Sequence, residues 1–446
     1  MRLNLAYPLL LSVVIISALD VFGFVQIYNF SFDTPLFSIH IIDLLFLGIL
    51  IVGIIIPLLR RNFIKVRIVA PLLLLVGYDI FLILLSIGRG ATLRNAIRLG
   101  APILYLLIVV AVPSLIKTRK EILITLRLLW GLIQIGLAAV IFQSVTGYAP
   151  EFANEPGALS YVYQTTSGFY RSYNPSIILV IFGFCLSYAM ALHKINLKIC
   201  LALVLFVIAF VLSYSRITYL STLVVLCIAP ILLVINLKNT IIYRLSLIMI
   251  ILIIISYSGL GQIFAQRFGS LFEDIQLNEG TFSERLAIID MAYDMLSEQE
   301  QFLLGTGFAH ISNVEGLEGE DWDRDTKIAM ALNSGADLGW LSLVFRTGII
   351  GLFFFLYFLF SVFKELYRKY YAEADSTMKP VRGAGLLFIC YGCVYNFAGN
   401  FFLYPSFSIV VAVLLGLVEA VPGSPETSGA WRGAHKPCLK LTTAGG

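Results

Sequence analysis

The 446-residue chain is 59% hydrophobic and 13% charged, with a formal net charge of +4 and a mean hydropathy of +0.90. Those values exclude an ordinary soluble domain, in which apolar residues make up about half of the chain and charged residues about a quarter. Apolar runs of about 18–22 residues recur along the chain, the length a helix needs to cross ~30 Å of hydrocarbon, so the expected fold is all-α, a polytopic membrane helical bundle.

In chain order, twelve spans are expected, at about 6–27, 38–59, 68–87, 99–116, 122–146, 175–192, 199–214, 217–236, 245–262, 337–362, 383–400 and 404–420. The first run begins near Tyr7, is too long for a signal peptide and lacks a small-residue cleavage site, so it reads as a span. Spans one to nine fill 1–262, a large outer loop 263–336, and spans ten to twelve 337–420. Residues 421–446, rich in Gly, Ser, Pro and Thr, read as a disordered cytoplasmic tail. The six cysteines form no disulfide framework; Cys390 and Cys393 have C-x-x-C spacing without a second Cys or His pair nearby. His40, His193 and His310 are scattered, so no metal site or cofactor is expected, and no nucleic-acid partner.

Basic residues set the orientation. With the N-terminus inside, 21 of the 31 Lys and Arg fall on inner segments and ten outside. The inner group includes Arg60, Arg61, Lys65 and Arg67, and Lys364, Arg368, Lys369, Lys379 and Arg382. Nine of the ten outer cations are arginine, the tenth being Lys327. Arginine offers a planar fork matched to phosphate or carboxylate oxygens, whereas lysine is a hydrated point charge. The bias points to an outward site for an anionic ligand; pairing with acids of the 263–336 loop is the plainer alternative.

The candidates follow the chain. Asp20, Asp43 and Asp79 fall in the outer halves of their spans, as acids lining a polar cleft would. Arg89, Arg94 and Arg98 lie in an outer turn, the last two sharing a helix face. Arg216 sits between two short apolar runs at a polar kink and is expected to face an outer cavity. In "GTFSERLAIIDMAYDMLSEQEQ", residues 280–301, Leu286, Ile289, Tyr293 and Leu296 recur at helical spacing, giving an amphipathic helix. Thr281 and Glu284 have capping-box spacing, which places Arg285 in its first turn, where an anion is favoured. "DWDRD", 321–325, is not an EF-hand, because Thr326 and Leu332 stand where Gly and Glu belong.

Four stretches in this order resemble the O-antigen polymerase and O-antigen ligase superfamily of bacterial envelope glycosyltransferases. "TSGFYRSYNPSIILVIFGF", which contains Arg171, resembles the family's "G-T-F-x-N-P-N" entry to a span. "SYSRITYL" resembles "S-x-S-R-G-x-x-L", with Ile217 in place of glycine. "SERLAIIDMAYDML…FLLGTGF" resembles the outer "R-x-x-x-W…P-x-x-G-x-G", and "DLGWLSLVFRTGIIGL" resembles "H-N-x-Y-L-x-x-L-x-E-x-G-L-I-G". Eleven positions before Gly348, where the ligases carry histidine, this chain has Asp337.

The resemblance implies a glycosyltransferase that takes its glycan from undecaprenyl pyrophosphate on the periplasmic face of the bacterial inner membrane. It implies pyrophosphate binding by Arg216 and Arg285, with Arg89, Arg94, Arg98 and Arg171 as further candidates, and Asp337 as the base for the acceptor hydroxyl. The aspartate favours a repeat-unit polymerase of lipopolysaccharide O-antigen or exopolysaccharide, with a chain-length regulator as a partner. O-antigen ligase is the alternative within the family. A glycan transporter or flippase is the alternative of another class, which the single large loop and the lack of repeated halves disfavour.

Overall fold

The computed structural model describes residues 6–21, 31–33, 38–59, 68–116, 118–148, 161–164, 170–173, 176–213, 215–233, 280–298, 301–308, 338–402 and 405–421. Its helices are α1 Ala6–Val21, α2 Ile41–Leu50, α3 Ile56–Leu59, α4 Val69–Gly88, α5 Leu93–Tyr105, α6 Ile108–Leu115 and α7 Arg119–Thr146. They continue with α8 Ile177–His193, α9 Leu197–Leu212, α10 Arg216–Leu233, α11 Gly280–Glu298, α12 Gly339–Ala372, α13 Lys379–Tyr395 and α14 Pro405–Ala420. A π-helical turn, Ile51–Ile55, joins α2 to α3.

Every described helix but α11 overlaps an expected span; the ninth span, 245–262, lies outside the described residues, as do Asp337, "DWDRD" and nearly all of the tail. Among the described residues, four helices, α4, α7, α10 and α12, are long and apolar enough to cross a membrane. A fifth crossing forms if Ala96–Tyr105 and Ile108–Leu115, bent by 46°, count as one. Shorter apolar helices include α8, α9 and Phe407–Ala420.

The chain is helical throughout, as expected, with one small addition among the described residues. Two small antiparallel hairpins interrupt the helices: β1 Ser31–Asp33 with β2 Ser38–His40, and β3 Tyr161–Gln164 with β4 Tyr170–Tyr173. The first takes the opening residues of the expected 38–59 span, whose helix starts only at Ile41, and the second lies between α7 and α8; backbone pairing satisfies their polar groups. One correction concerns α11. It starts at Gly280, so Thr281 lies inside the helix and Arg285 is its sixth residue, past the first turn where the helix dipole acts.

Helix ends follow local chemistry. On α7, the Thr118 hydroxyl accepts from the Glu121 amide (3.2 Å) while the Glu121 carboxylate accepts from the Thr118 amide (2.9 Å). Buried residues on α4 recur as Leu72, Leu75, Val76, Asp79, Leu82, Ile83 and Ser86. Leu73, Leu74, Ile80, Phe81 and Leu84 face outward, the pattern of a helix with one side on the bundle and one on lipid. The main core joins α8, α13 and α10 with α6, α12 and α14.

At one end of the bundle Arg382 ties three helices together. It is 1% exposed, donates to the carbonyls of Lys369 (2.5 Å) and Val421 (2.9 Å), and ion-pairs with Glu373 at 3.1 Å. The carbonyls at the ends of α12 and α14, which have no partner within their own helices, are satisfied this way.

Candidate functional site

The site begins with a break. α12 is two helical pieces joined across Gly348, whose φ of 67° and ψ of −175° are non-helical. In an unbroken helix the amides of 349 and 350 would donate to the carbonyls of 345 and 346. Here all four groups are freed, with Phe345 to Gly348 buried, and within a membrane-crossing helix an unsatisfied backbone group is costly.

The turn that follows α11 answers each of them. Thr306 N–H donates to Phe345 O (2.8 Å) and Gly307 N–H to Arg346 O (3.0 Å). Ile349 N–H donates to Phe302 O (2.9 Å) and Ile350 N–H to Leu303 O (3.3 Å). Two helical bonds are replaced by four bonds to "FLLGTGF". Glycine is required on both sides of the joint. A Cβ on Gly348 would lie 2.1 Å from Leu303 O, and one on Gly305, itself at φ +72°, 2.5 Å from Gly348 N.

α4 closes the other side. Ser86 Oγ accepts from Phe308 N–H (2.7 Å) and donates to Leu82 O (2.7 Å). Arg89 Nη1 donates to Thr306 O (3.3 Å), and Tyr78 OH donates to Thr347 O (2.8 Å). Three segments distant in sequence, 78–89, 302–308 and 345–350, therefore meet at one joint. Arg89 is exposed at its rim.

Below the rim, Asp79 and Arg346 are 1% and 4% exposed. Neither carboxylate oxygen of Asp79 takes a hydrogen bond among the described residues.

A second group gathers at the end of α13. Arg285, half-buried on α11, donates from Nη2 to Ala398 O (3.2 Å) in the turn after α13. The same turn receives the start of α12: Gly339 N–H donates to Gly399 O (3.0 Å) and Trp340 N–H to Asn396 O (3.1 Å). Leu338, just before α12, has φ +54° and ψ 60°, a left-handed conformation that a leucine adopts at a cost of about 1 kcal/mol or more.

Arg216 opens α10, after a break following Leu212 that matches the expected kink. Tyr219 OH spans that break to Val211 O (2.6 Å), and Tyr391 on α13 donates to Thr218 O (3.1 Å). Arg216 is half-buried. By these contacts Arg285 meets the turn after α13, and α10, which Arg216 opens, packs on α13 through Thr218, while Arg89 belongs to the joint about 10 Å further along α12, taking 1.5 Å per residue from Gly339.

The remaining candidates stand apart or are placed by backbone only. Arg98 is exposed on α5, Arg94 lies on the same helix, and Arg171 lies on β4 opposite Tyr163. Asp20 and Asp43 lie on α1 and α2.

A helical protein built to cross a membrane, with the 302–308 turn set into a broken helix and Arg89 and Arg285 each bonded to a turn between elements, is what the chain defines. Residues 201–356 match the family model described as O-Antigen ligase. That segment, similar to the O-antigen polymerase and ligase family of glycan-assembly enzymes, runs from α9 into α12 and contains Arg216, Arg285, the 302–308 turn and Gly348. No curated protein matches the chain.

Sequence reasoning counted Arg346 among the outer cations and gave it no role. One signal could have found it: in the register set by Gly348, Arg346 stands at the glutamate of "E-x-G-L-I-G", and Asp79 is a carboxylate in a neighbouring span.

Proposed function

We propose that the protein is a polysaccharide repeat-unit polymerase with twelve spans in the bacterial inner membrane and its active site toward the periplasm. It moves a growing glycan from undecaprenyl pyrophosphate to a second lipid-linked repeat. The match of residues 201–356 to a family that acts on lipid-linked glycans carries this reading.

Arg216 and Arg285 hold the pyrophosphate, with Arg89 at the rim of the joint and Arg94, Arg98 and Arg171 as further contacts. Asp337 takes the proton of the acceptor hydroxyl as its oxygen bonds to the anomeric carbon. The bond from that carbon to the pyrophosphate oxygen breaks, and its electron pair leaves with the pyrophosphate. Fixed guanidinium groups favour this step because they meet the charge as it grows on the leaving group, and the carboxylate acts as general base.

Two observations divide polymerase from ligase. The description of the matching family favours a ligase that joins glycan to the lipid A core; Asp337, at the position where the ligases carry histidine, favours the polymerase. Deletion of the gene followed by gel analysis of envelope polysaccharide separates them. Loss of long chains with single repeats retained supports the polymerase, loss of every repeat from the core supports the ligase, and unchanged polymer removes both.

A further inference from the structure

α12 begins on a strained step. Leu338 is left-handed, at φ +54°, and its side chain gives the helix no cap. Such a conformation persists where the surroundings over-determine it, and the first amides of a helix have no partner within it. Both needs are met from the turn between α13 and α14. Gly399 O accepts from Gly339 N–H (3.0 Å) and Asn396 O from Trp340 N–H (3.1 Å). The Trp340 indole N–H donates to Cys393 O (3.0 Å), just before the turn.

The same turn holds Arg285. The carbonyls of 396 and 399 are committed to α12, and that of Ala398 accepts from the Arg285 guanidinium on α11 (3.2 Å). A neutral carbonyl takes one N–H of a guanidinium and leaves its charge and its other donors for an anion.

Asn396 shapes this turn. It is 0% exposed, and its Oδ1 accepts from Phe401 N–H (2.8 Å), which closes the turn around Ala398 and Gly399. That amide needs an acceptor, so the oxygen faces it, and Nδ2 is left buried with no hydrogen-bond partner among the described residues. Burying an unpaired donor is unfavourable, so an apolar side chain would suit the place better if it only filled space. Gly339 lies directly against the oxygen: a Cβ there would stand 2.5 Å from Asn396 Oδ1 and 2.8 Å from Gly399 O.

We propose that Asn396 is a positioning residue: by closing the 396–401 turn it seats the start of α12 and, through Ala398 O, aims Arg285 at the pyrophosphate of the donor. The part concerning pyrophosphate rests on the glycosyltransferase reading; the seating of α12 does not.

The test uses the full-length protein in lipid nanodiscs and the variants Asn396→Leu, Gly339→Ala, Arg285→Ala and Asn396→Leu/Arg285→Ala. Hydrogen exchange at the Trp340 and Phe401 amides is the first readout, and the Kd for undecaprenyl pyrophosphate is the second. Expected is at least tenfold faster exchange at both amides in Asn396→Leu and Gly339→Ala, with exchange in α9 unchanged. Arg285→Ala should exchange within threefold of the parent, because the arginine hangs on the turn and does not close it. The Kd should rise at least tenfold in all four variants. The double variant should bind within threefold of Arg285→Ala, since Asn396 acts through that guanidinium.

Gly339→Ala adds one methyl group against Asn396 Oδ1 and leaves both side chains in place, so it decides the matter even where Asn396→Leu fails to fold. Parent-like exchange in Asn396→Leu or Gly339→Ala would overturn the proposal. So would faster exchange with undecaprenyl pyrophosphate still bound as tightly while Arg285→Ala loses it, or losses that multiply in the double variant. An unchanged Kd in Arg285→Ala would remove that residue from the pyrophosphate site and with it the functional reading of the turn; faster exchange in Asn396→Leu would still uphold the seating of α12.

Discussion

Replacing Gly348 with alanine puts the structural argument at risk in one step. The residue's φ of 67° with ψ near 180° belongs to a region that only glycine visits freely, so a side chain there costs about 1–3 kcal/mol before any contact is counted. The contact is worse: the new Cβ would lie 2.1 Å from Leu303 O, closer than the atoms can come. Relief requires the 302–308 turn to leave, which forfeits the four hydrogen bonds it makes with 345, 346, 349 and 350. At about 1 kcal/mol for each bond the loss is about 4 kcal/mol, or about three decades in the local opening equilibrium. Hydrogen exchange and limited proteolysis of 301–308 in nanodiscs measure it directly. Gly77→Ala serves as the comparison, since nothing lies within 4 Å of its new methyl group and helix propensity favours it by ~0.5–1 kcal/mol. If Gly348→Ala leaves 301–308 as well protected as in the parent and Gly77→Ala, the turn is not held by the break in α12.

Other consequences are as direct. Arg216→Ala and Arg285→Ala should abolish polymer at normal protein level, and lysine should rescue poorly; full activity of both lysine variants would make the two residues ordinary structural partners, a role Arg285 already has in part through Ala398 O. Asp337→Asn should lose glycan transfer with donor binding kept, because an amide keeps the shape but takes no proton, and Asp337→His should not restore it; a fully active Asn variant would remove the base from the account. Arg382→Gln should destabilise the protein by about 3–5 kcal/mol, since Glu373 is then left charged and buried, and a melting temperature equal to the parent's would refute that. Single cysteines at 63 and 315, in a background without native cysteines, should be labelled by an impermeant thiol reagent from opposite sides of oriented vesicles; labelling from one side would overturn the topology.

Helix positions were legible from hydropathy because a span must satisfy its backbone within itself, and that demand shows up as long apolar runs. The kink before Arg216 was legible for the same reason: "SYS" interrupts two runs each too short to leave their ends in lipid. The hairpin β3–β4 was not legible, because eight paired residues carry no alternation strong enough to stand out. The start of α11 was placed two residues late, at Phe282, by a capping-box spacing that the helix runs through.

The joint at Gly348 shows the larger limit. "GTG" at 305–307 and "RTGIIG" at 346–351 could each be read as a turn and a weak point in a span. That one fills the hydrogen bonds lost by the other is a long-range fact with no local signature. Asp79 and Arg346 are 267 positions apart, each readable as a single misplaced charge, and only the packing of α4 on α12 brings their helices together.

The most direct test of the central claim is glycan transfer by the purified full-length protein in nanodiscs, with one undecaprenyl-pyrophosphate-linked repeat unit supplied as both donor and acceptor. The account predicts a ladder of products spaced by one repeat, with undecaprenyl pyrophosphate released in step with each new bond and no ladder from Arg216→Ala. Protein that leaves the single repeat unextended, yet joins it to a lipid A core when one is added, would contradict the polymerase and establish the ligase.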